Sequence, residues 1–159
     1  MFVPILYVLV FCLYANIAYS KALDHAKVQL ADLDPGFKQM DITAHDGITL
    51  KSIVFDPEPS VAGAKNPVII FISSWGVNKW EYVIPANEYA AKGYTVVSYT
   101  SRGFWGSGGV IDMAGVNDQE DVSTVISWIL EMSPNADATR IGLSGISYGG
   151  GLSLLGAAK

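Results

Sequence analysis

Two short segments in the first half of the chain alternate between polar and apolar residues. Gln39–Ala44 and Ile48–Phe55 both show the period of two that is typical of half-buried strands. The intervening residues, His45–Gly47, contain an Asp-Gly pair, which favours a tight turn. The pattern therefore predicts a β-hairpin.

Three later segments are short, apolar and rich in β-branched residues: Pro67–Ile72, Tyr94–Tyr99 and Arg140–Ser144. Such runs are typical of strands buried on both faces of a sheet. The stretches between these segments, and the one after the last, lack this continuous β-branched pattern. We therefore expect three buried strands, each followed by a connecting element.

The stretches after these strands show features of helices. Ile84–Lys92 has a proline suited to a first helical turn and is followed by Gly93. Asn117-x-x-Glu120 resembles a capping box, and a small-residue helix is predicted over Gly149–Ala158. Buried strands that alternate with helices predict an α/β fold, a three-layer α/β/α sandwich around a mostly parallel sheet. Apolar residues recur at helical spacing after the capping box: Val122, Val125, Ile126 and Ile129.

The first 20 residues carry no charged side chain, and Phe2–Leu13 is almost wholly apolar. The small residues Ala18 and Ser20 stand two positions apart, as at a signal-peptidase cleavage site. We therefore predict a signal peptide over residues 1–20 and a secreted protein that begins at Lys21, without a membrane anchor. Because no Lys or Arg precedes the apolar run, an uncleaved signal anchor and a buried N-terminal helix are the alternatives.

The composition excludes several classes of protein. The 159-residue chain is 50% apolar and 16% charged, with a net charge of −5. These values exclude a disordered tail, a collagen-like fibre and a basic nucleic-acid-binding surface. Cys12, His25 and His45 show no metal-ligand spacing, and one cysteine cannot form a disulfide framework. We expect no metal and no cofactor, and the oligomeric state is not predicted.

Gly145–Gly149 is the one Gly-x-Ser-x-Gly pattern in the chain, and it lies between a predicted buried strand and a predicted helix. In this context a sharp turn holds the serine hydroxyl clear of the sheet, and the glycines leave room for neighbouring backbone. A serine is a weak nucleophile unless a base, held by a third group, takes its proton. We predict Ser147 as a catalytic nucleophile. The alternative is a glycine-rich packing turn with an incidental serine.

Two backbone N–H groups are candidates for an oxyanion hole. One belongs to Tyr148, directly after the candidate nucleophile, and the other to Trp75, in the loop after the strand Pro67–Ile72. Arg102–Gly109 is also glycine-rich, but it lacks the patterns of phosphate-binding loops. We therefore expect a structural loop there, in which Arg102 pairs with a nearby carboxylate such as Asp118 or Asp121.

Together these segments resemble the α/β-hydrolase fold and, more narrowly, the peptidase S15 group of X-Pro dipeptidyl-peptidase and cocaine-esterase-like hydrolases. The resemblance rests on Tyr99–Gly109, Asp118–Ile129 and Ile141–Gly151. It implies cleavage of small-molecule esters, amides or peptides through a Ser-Asp-His triad with Ser147 as nucleophile. The chain departs from many relatives at Ser73-Ser74, where they have His-Gly.

The resemblance also implies a triad acid and base that follow the nucleophile in the chain. No Asp, Glu or His follows Ser147, and His25 and His45 both precede it. We therefore expect residues 21–159 to be the N-terminal part of a hydrolase domain, C-terminally incomplete and without the triad acid and base. The alternative is a non-catalytic truncated paralogue or an interaction module that retains the scaffold.

Overall fold

The computed structural model describes residues 37–159. The predictions for the leader, for Cys12 and for His25 lie outside the described residues. A 3₁₀ turn over Lys79–Tyr82 precedes the first of three α-helices. The strands are β1 (Lys38–Thr43), β2 (Thr49–Phe55), β3 (Asn66–Ile72), β4 (Thr95–Tyr99) and β5 (Ala136–Ser144), and the helices are α1 (Val83–Ala90), α2 (Val116–Met132) and α3 (Tyr148–Ala157).

The five strands form one sheet in the order β1-β2-β4-β3-β5. The pairs β3–β4 and β3–β5 are parallel, whereas β1–β2 and β2–β4 are antiparallel. The predicted hairpin is confirmed, and the three segments predicted as buried strands form the parallel part of the sheet. The prediction that Arg140–Ser144 is buried on both faces is wrong for the described residues: β5 is the last strand in the order, and none of these five residues is buried. The sheet as a whole is mixed because the hairpin joins β4 in the antiparallel sense. The three parallel strands end at the same edge.

The helices cover both faces of the sheet, which confirms the three-layer α/β/α class. Phe71 of β3 stacks on Tyr82, at 4.9 Å between ring centroids, on the face that α1 covers. Its neighbours Ile70 and Ile72 point to the opposite face, where they pack with α2 and α3. The core on that face consists of Ile42, Ala44, Leu50, Val54, Val68, Ile70, Ile72, Val97, Tyr99, Val122, Val125, Ile129, Ala136 and Leu152.

The capping box predicted at Asn117 is wrong. Helix α2 begins at Val116 with Gly115 as its N-cap, so Asn117 lies within the first helical turn. Its backbone N–H donates to Asp112 Oδ2 at 2.8 Å, and this carboxylate takes the place of a capping side chain. The last strand also begins earlier than predicted, at Ala136, and its register with β3 shifts between Ala136 and Ile141.

Candidate active site

The loops that follow the three parallel strands meet at one edge of the sheet. The ring of Trp75, from the loop after β3, packs edge-on against Phe104, from the loop after β4, at 5.1 Å between centroids. It packs in the same way against Tyr148, the first residue of α3, at 5.2 Å. These three aromatic side chains therefore join the two loops to the residue that follows Ser147.

Ser147 lies in a sharp turn between β5 and α3. Its backbone has φ 55° and ψ −117°, a conformation that residues with a Cβ rarely adopt and that costs about 1–3 kcal/mol. The residue is exposed, and α3 begins at the next position. The structure thus places the Ser147 side chain in solvent beside the positive end of a helix dipole.

The two glycines of the motif allow close contact between the turn and β3. A Cβ atom at Gly145 would lie 2.6 Å from the carbonyl carbon of Gly149 and 2.8 Å from the carbonyl oxygen of Ile72. A Cβ atom at Gly149 would overlap the same Ile72 oxygen. Because these neighbours are backbone atoms, no side-chain rotation can relieve the overlap. A larger residue at either position would therefore require the backbone of the turn or of β3 to shift.

Hydrogen bonds from the β3 side hold Ile146, the residue before Ser147. The Ile146 backbone N–H donates to the Tyr82 hydroxyl at 2.8 Å. Ser74 donates its hydroxyl to Glu81 Oε1 at 2.6 Å, and the Ile146 carbonyl is an alternative acceptor at 3.1 Å. Glu81 also accepts the Ser74 backbone N–H at 2.7 Å. Ser74 thus links the loop after β3 to Glu81 and, through its alternative bond, to the turn.

The two candidate oxyanion donors lie at this same edge. Tyr148 is the first residue of α3, and Trp75 lies two residues beyond the buried Ser73 in the loop after β3. Among the turn, loop and cap hydrogen bonds within residues 37–159, neither backbone N–H donates to a carbonyl. Both remain candidates for binding a negatively charged oxygen.

A buried ion pair lies beneath the loop after β4. The Arg102 side chain, only 3% exposed, donates from Nε and Nη2 to the two carboxylate oxygens of Asp121, each at 2.7 Å. It also donates from Nη1 to Asp46 Oδ2 at 2.9 Å. The hydrogen bonds that Arg102 donates to Asp121 raise the pKa of Arg102. The predicted pairing of Arg102 with Asp121 is confirmed, whereas that with Asp118 is not observed.

Asp118 instead receives a hydrogen bond from Tyr148. The Tyr148 hydroxyl donates to Asp118 Oδ2 at 2.6 Å. Burial raises the pKa of Asp118, although this hydrogen bond opposes the shift. This contact was not predicted from the sequence. The available signal was the pair of acids Asp118 and Asp121, which stand one helical turn apart on the apolar side of α2 and are both buried.

Other features of the described chain bear on the reaction that it could support. His45 is exposed in the turn between β1 and β2. Over residues 37–159, no group of three or more His, Cys, Asp or Glu side chains is arranged to hold a metal ion.

No helix within residues 37–159 combines the length and the apolar character that crossing a bilayer requires.

The chain matches the model of a known protein family. The family described as X-Pro dipeptidyl-peptidase (S15 family) matches residues 46–159, which include every strand after β1 and the Ser147 turn. A search of curated proteins found no match.

Solved structures with a similar fold include hydrolases. GrgF, an α/β hydrolase from Penicillium sp. sh18, is 26% identical with a TM-score of 0.63, over 77% of this chain and 41% of that chain. The acylaminoacyl peptidase of Pyrococcus horikoshii is 28% identical with a TM-score of 0.64, over 75% and 20%. XC6422 of Xanthomonas campestris, a serine hydrolase without a lid, is 26% identical with a TM-score of 0.60, over 79% and 57%. The fold is that of the α/β hydrolases, and the chain spans less than two thirds of each of these proteins.

Proposed function

We propose that this chain, which belongs to the X-Pro dipeptidyl-peptidase family (S15 family), supplies the nucleophile and the oxyanion-binding groups of a serine hydrolase. The observation that carries the proposal is the strained, exposed position of Ser147 at the start of α3. Strain of this kind persists where the surrounding structure holds it, and it is concentrated at functional sites. The substrates we propose are esters, amides or peptides.

In the proposed reaction, Ser147 Oγ forms a bond to the substrate carbonyl carbon while its proton passes to a base. The carbonyl oxygen becomes negatively charged, and the backbone N–H groups of Tyr148 and Trp75 bind it. Loss of one such donor typically raises the barrier by about 2.7–4 kcal/mol. The C–O or C–N bond of the substrate then breaks, and the leaving group takes the proton that the base had accepted. Water gives a proton to the same base as it attacks the acyl-enzyme, the acid product leaves, and the base returns that proton to Ser147 Oγ.

Covalent labelling of the full-length protein tests the nucleophile. A fluorophosphonate probe should label the wild type, and Ser147→Ala should abolish that labelling. Ser127→Ala is a matched control because Ser127 is an exposed serine on α2, bonded to the Ser123 carbonyl. Labelling that survives Ser147→Ala would overturn the assignment. Absence of labelling in the folded wild type would favour a non-catalytic scaffold.

The proposed hydrolase is secreted. The apolar leader with Ala18 and Ser20 at its end supports cleavage before Lys21 in a secretory host. N-terminal sequencing of the exported protein tests this proposal. Recovery of an intact Met1 in a membrane fraction would mean a signal anchor instead.

A further inference from the structure

Tyr148 contributes to the site through its side chain as well as its backbone. Its N–H is a candidate oxyanion donor, and its phenol extends to α2, where the hydroxyl donates to Asp118 Oδ2 at 2.6 Å. The Ala114 N–H donates to the Tyr148 hydroxyl oxygen at 2.8 Å and lies 3.1 Å from Asp118 Oδ2. The phenol is therefore held by a donor and an acceptor at once.

The loop that supplies the Ala114 N–H is itself strained. Met113 has φ 52° and Ala114 has φ 61°, in the left-handed region that costs about 1–3 kcal/mol for a residue with a Cβ. This conformation directs the Ala114 N–H toward the phenol and the carboxylate together. Backbone strain of this kind is concentrated at functional sites, so a strained loop that donates to the Tyr148 hydroxyl indicates a functional role for the position of that side chain.

The burial of the Asp118 carboxylate is expected to cost free energy of folding. The residue is 1% exposed, and Arg102 pairs with Asp121 rather than with it. Burial of a carboxylate costs free energy unless hydrogen bonds compensate, and an apolar residue would avoid that cost. Asp118 provides an acceptor for the Tyr148 hydroxyl and for the Ala114 N–H, and the hydroxyl is the nearer donor, at 2.6 Å against 3.1 Å.

The Tyr148 ring also contacts the second candidate donor. The Trp75 ring packs on it edge-on at 5.2 Å, so the ring lies between Asp118 and the residue that carries the other N–H. Displacement of the Tyr148 ring would therefore disturb both candidate donors. The hydroxyl can be removed without loss of this ring contact, which separates the two effects.

We infer that Asp118 and the Tyr148 phenol are positioning residues, which fix the start of α3 so that the Tyr148 N–H points at the oxyanion formed next to Ser147. The inference rests on the proposed function. The phenol and the N–H belong to one residue, so the bond to Asp118 restrains the direction of the N–H. A displacement of the order of 1 Å at a reacting centre can lower a rate by about 100-fold.

The test is steady-state hydrolysis of p-nitrophenyl acetate by the full-length enzyme. Tyr148→Phe keeps the ring on Trp75 and removes the hydroxyl, and it should lower kcat by about 10-fold or more with KM changed less than about twofold. Asp118→Ala should have a similar effect, whereas Asp118→Asn, which keeps an acceptor oxygen, should restore most of kcat. The matched control is Tyr94→Phe, because the Tyr94 ring packs on Tyr89 on the face of the sheet that α1 covers.

The double variant Tyr148→Phe/Asp118→Ala provides a readout that a general loss of stability would not give. If the two groups act through one hydrogen bond, kcat of the double variant should equal that of either single variant. Multiplicative losses would overturn the inference, as would a Tyr148→Phe variant with wild-type kcat. Where Asp118→Ala fails to fold, Tyr148→Phe and Asp118→Asn decide the matter.

The two proposals fail separately. If Ser147→Ala keeps its fluorophosphonate labelling, the proposed nucleophile is wrong and the positioning role falls with it. If Ser147→Ala abolishes labelling and Tyr148→Phe leaves kcat unchanged, the positioning role alone is overturned.

Discussion

The turn at Ser147 is supported from two sides, and the two supports use different chemistry. On the β3 side the contacts are mostly between neutral groups: Gly149 lies against the Ile72 carbonyl, and Ile146 donates to the Tyr82 hydroxyl. On the α2 side the contacts involve buried charge, since Tyr148 donates to Asp118 and the neighbouring Asp121 is paired with Arg102. We call these the β3 support and the α2 support.

The two supports should respond differently to solution conditions. Backbone contact in the β3 support depends on shape, and neither pH nor salt changes it. The α2 support depends on carboxylates whose burial raises their pKa, and such groups respond to small changes in their surroundings. Substitutions that remove one support and spare the other should therefore differ in size and in pH dependence.

The largest effect is expected when the α2 support loses its cation. Arg102→Leu leaves Asp121 buried without its partner and should lower the free energy of unfolding by about 3–5 kcal/mol. Chemical denaturation of the full-length protein measures this. The control is Lys51→Ala, because the pair that Lys51 forms with Asp41 is solvent-exposed and should contribute at most about 1 kcal/mol. A loss as small as that of the control would mean that the buried pair adds little to the support.

A smaller effect is expected from the β3 support. Gly149→Ala places a methyl group on the Ile72 carbonyl oxygen, and overpacking of this kind typically costs about 1–3 kcal/mol. Gly151→Ala is the matched control in the same helix, since a Cβ at Gly151 would meet nothing within 4 Å. It should be neutral or stabilising by about 0.4–1 kcal/mol. Equal melting temperatures for the two variants would contradict the tight contact with β3.

The β3 support was largely predictable from the sequence, because its signal is local. The Gly-x-Ser-x-Gly spacing after a β-branched apolar run, Arg140–Ser144, predicts a close turn. The hairpin was predictable for the same reason, since alternation and an Asp-Gly turn both lie within a few residues. The structure confirms the hairpin and places Ser147 in a turn of this kind.

The α2 support was predictable only in part: the pairing of Arg102 with Asp121 was predicted, but the other contacts join residues far apart in the chain. Tyr148 and Asp118 are separated by 30 positions, and Arg102 and Asp46 by 56. Nothing near Tyr148 indicates that its hydroxyl meets a carboxylate on α2. The error at Asn117 has a related cause: the spacing matched a capping box, but a competing carboxylate from the preceding turn, Asp112, takes the first-turn N–H.

The smallest expected effect is a pH dependence that distinguishes the α2 support from a surface carboxylate. Burial raises the pKa of Asp118 above its ordinary value of 3.8, so the folded protein binds this proton more tightly than the unfolded chain does. The stability of wild type relative to Asp118→Asn should therefore be highest at low pH and fall as the pH rises through the raised pKa. The Tyr148 hydrogen bond to the charged form offsets part of this shift, so the slope is modest.

Asp137 should behave in the opposite way, because hydrogen bonds from Thr139 lower its pKa to about 2. Relative to Asp137→Asn, wild type should lose stability as the pH falls from about 4 toward 2. Urea unfolding of the two pairs across this pH range measures both slopes, and slopes of the same sign would contradict the buried, charged character of the α2 support.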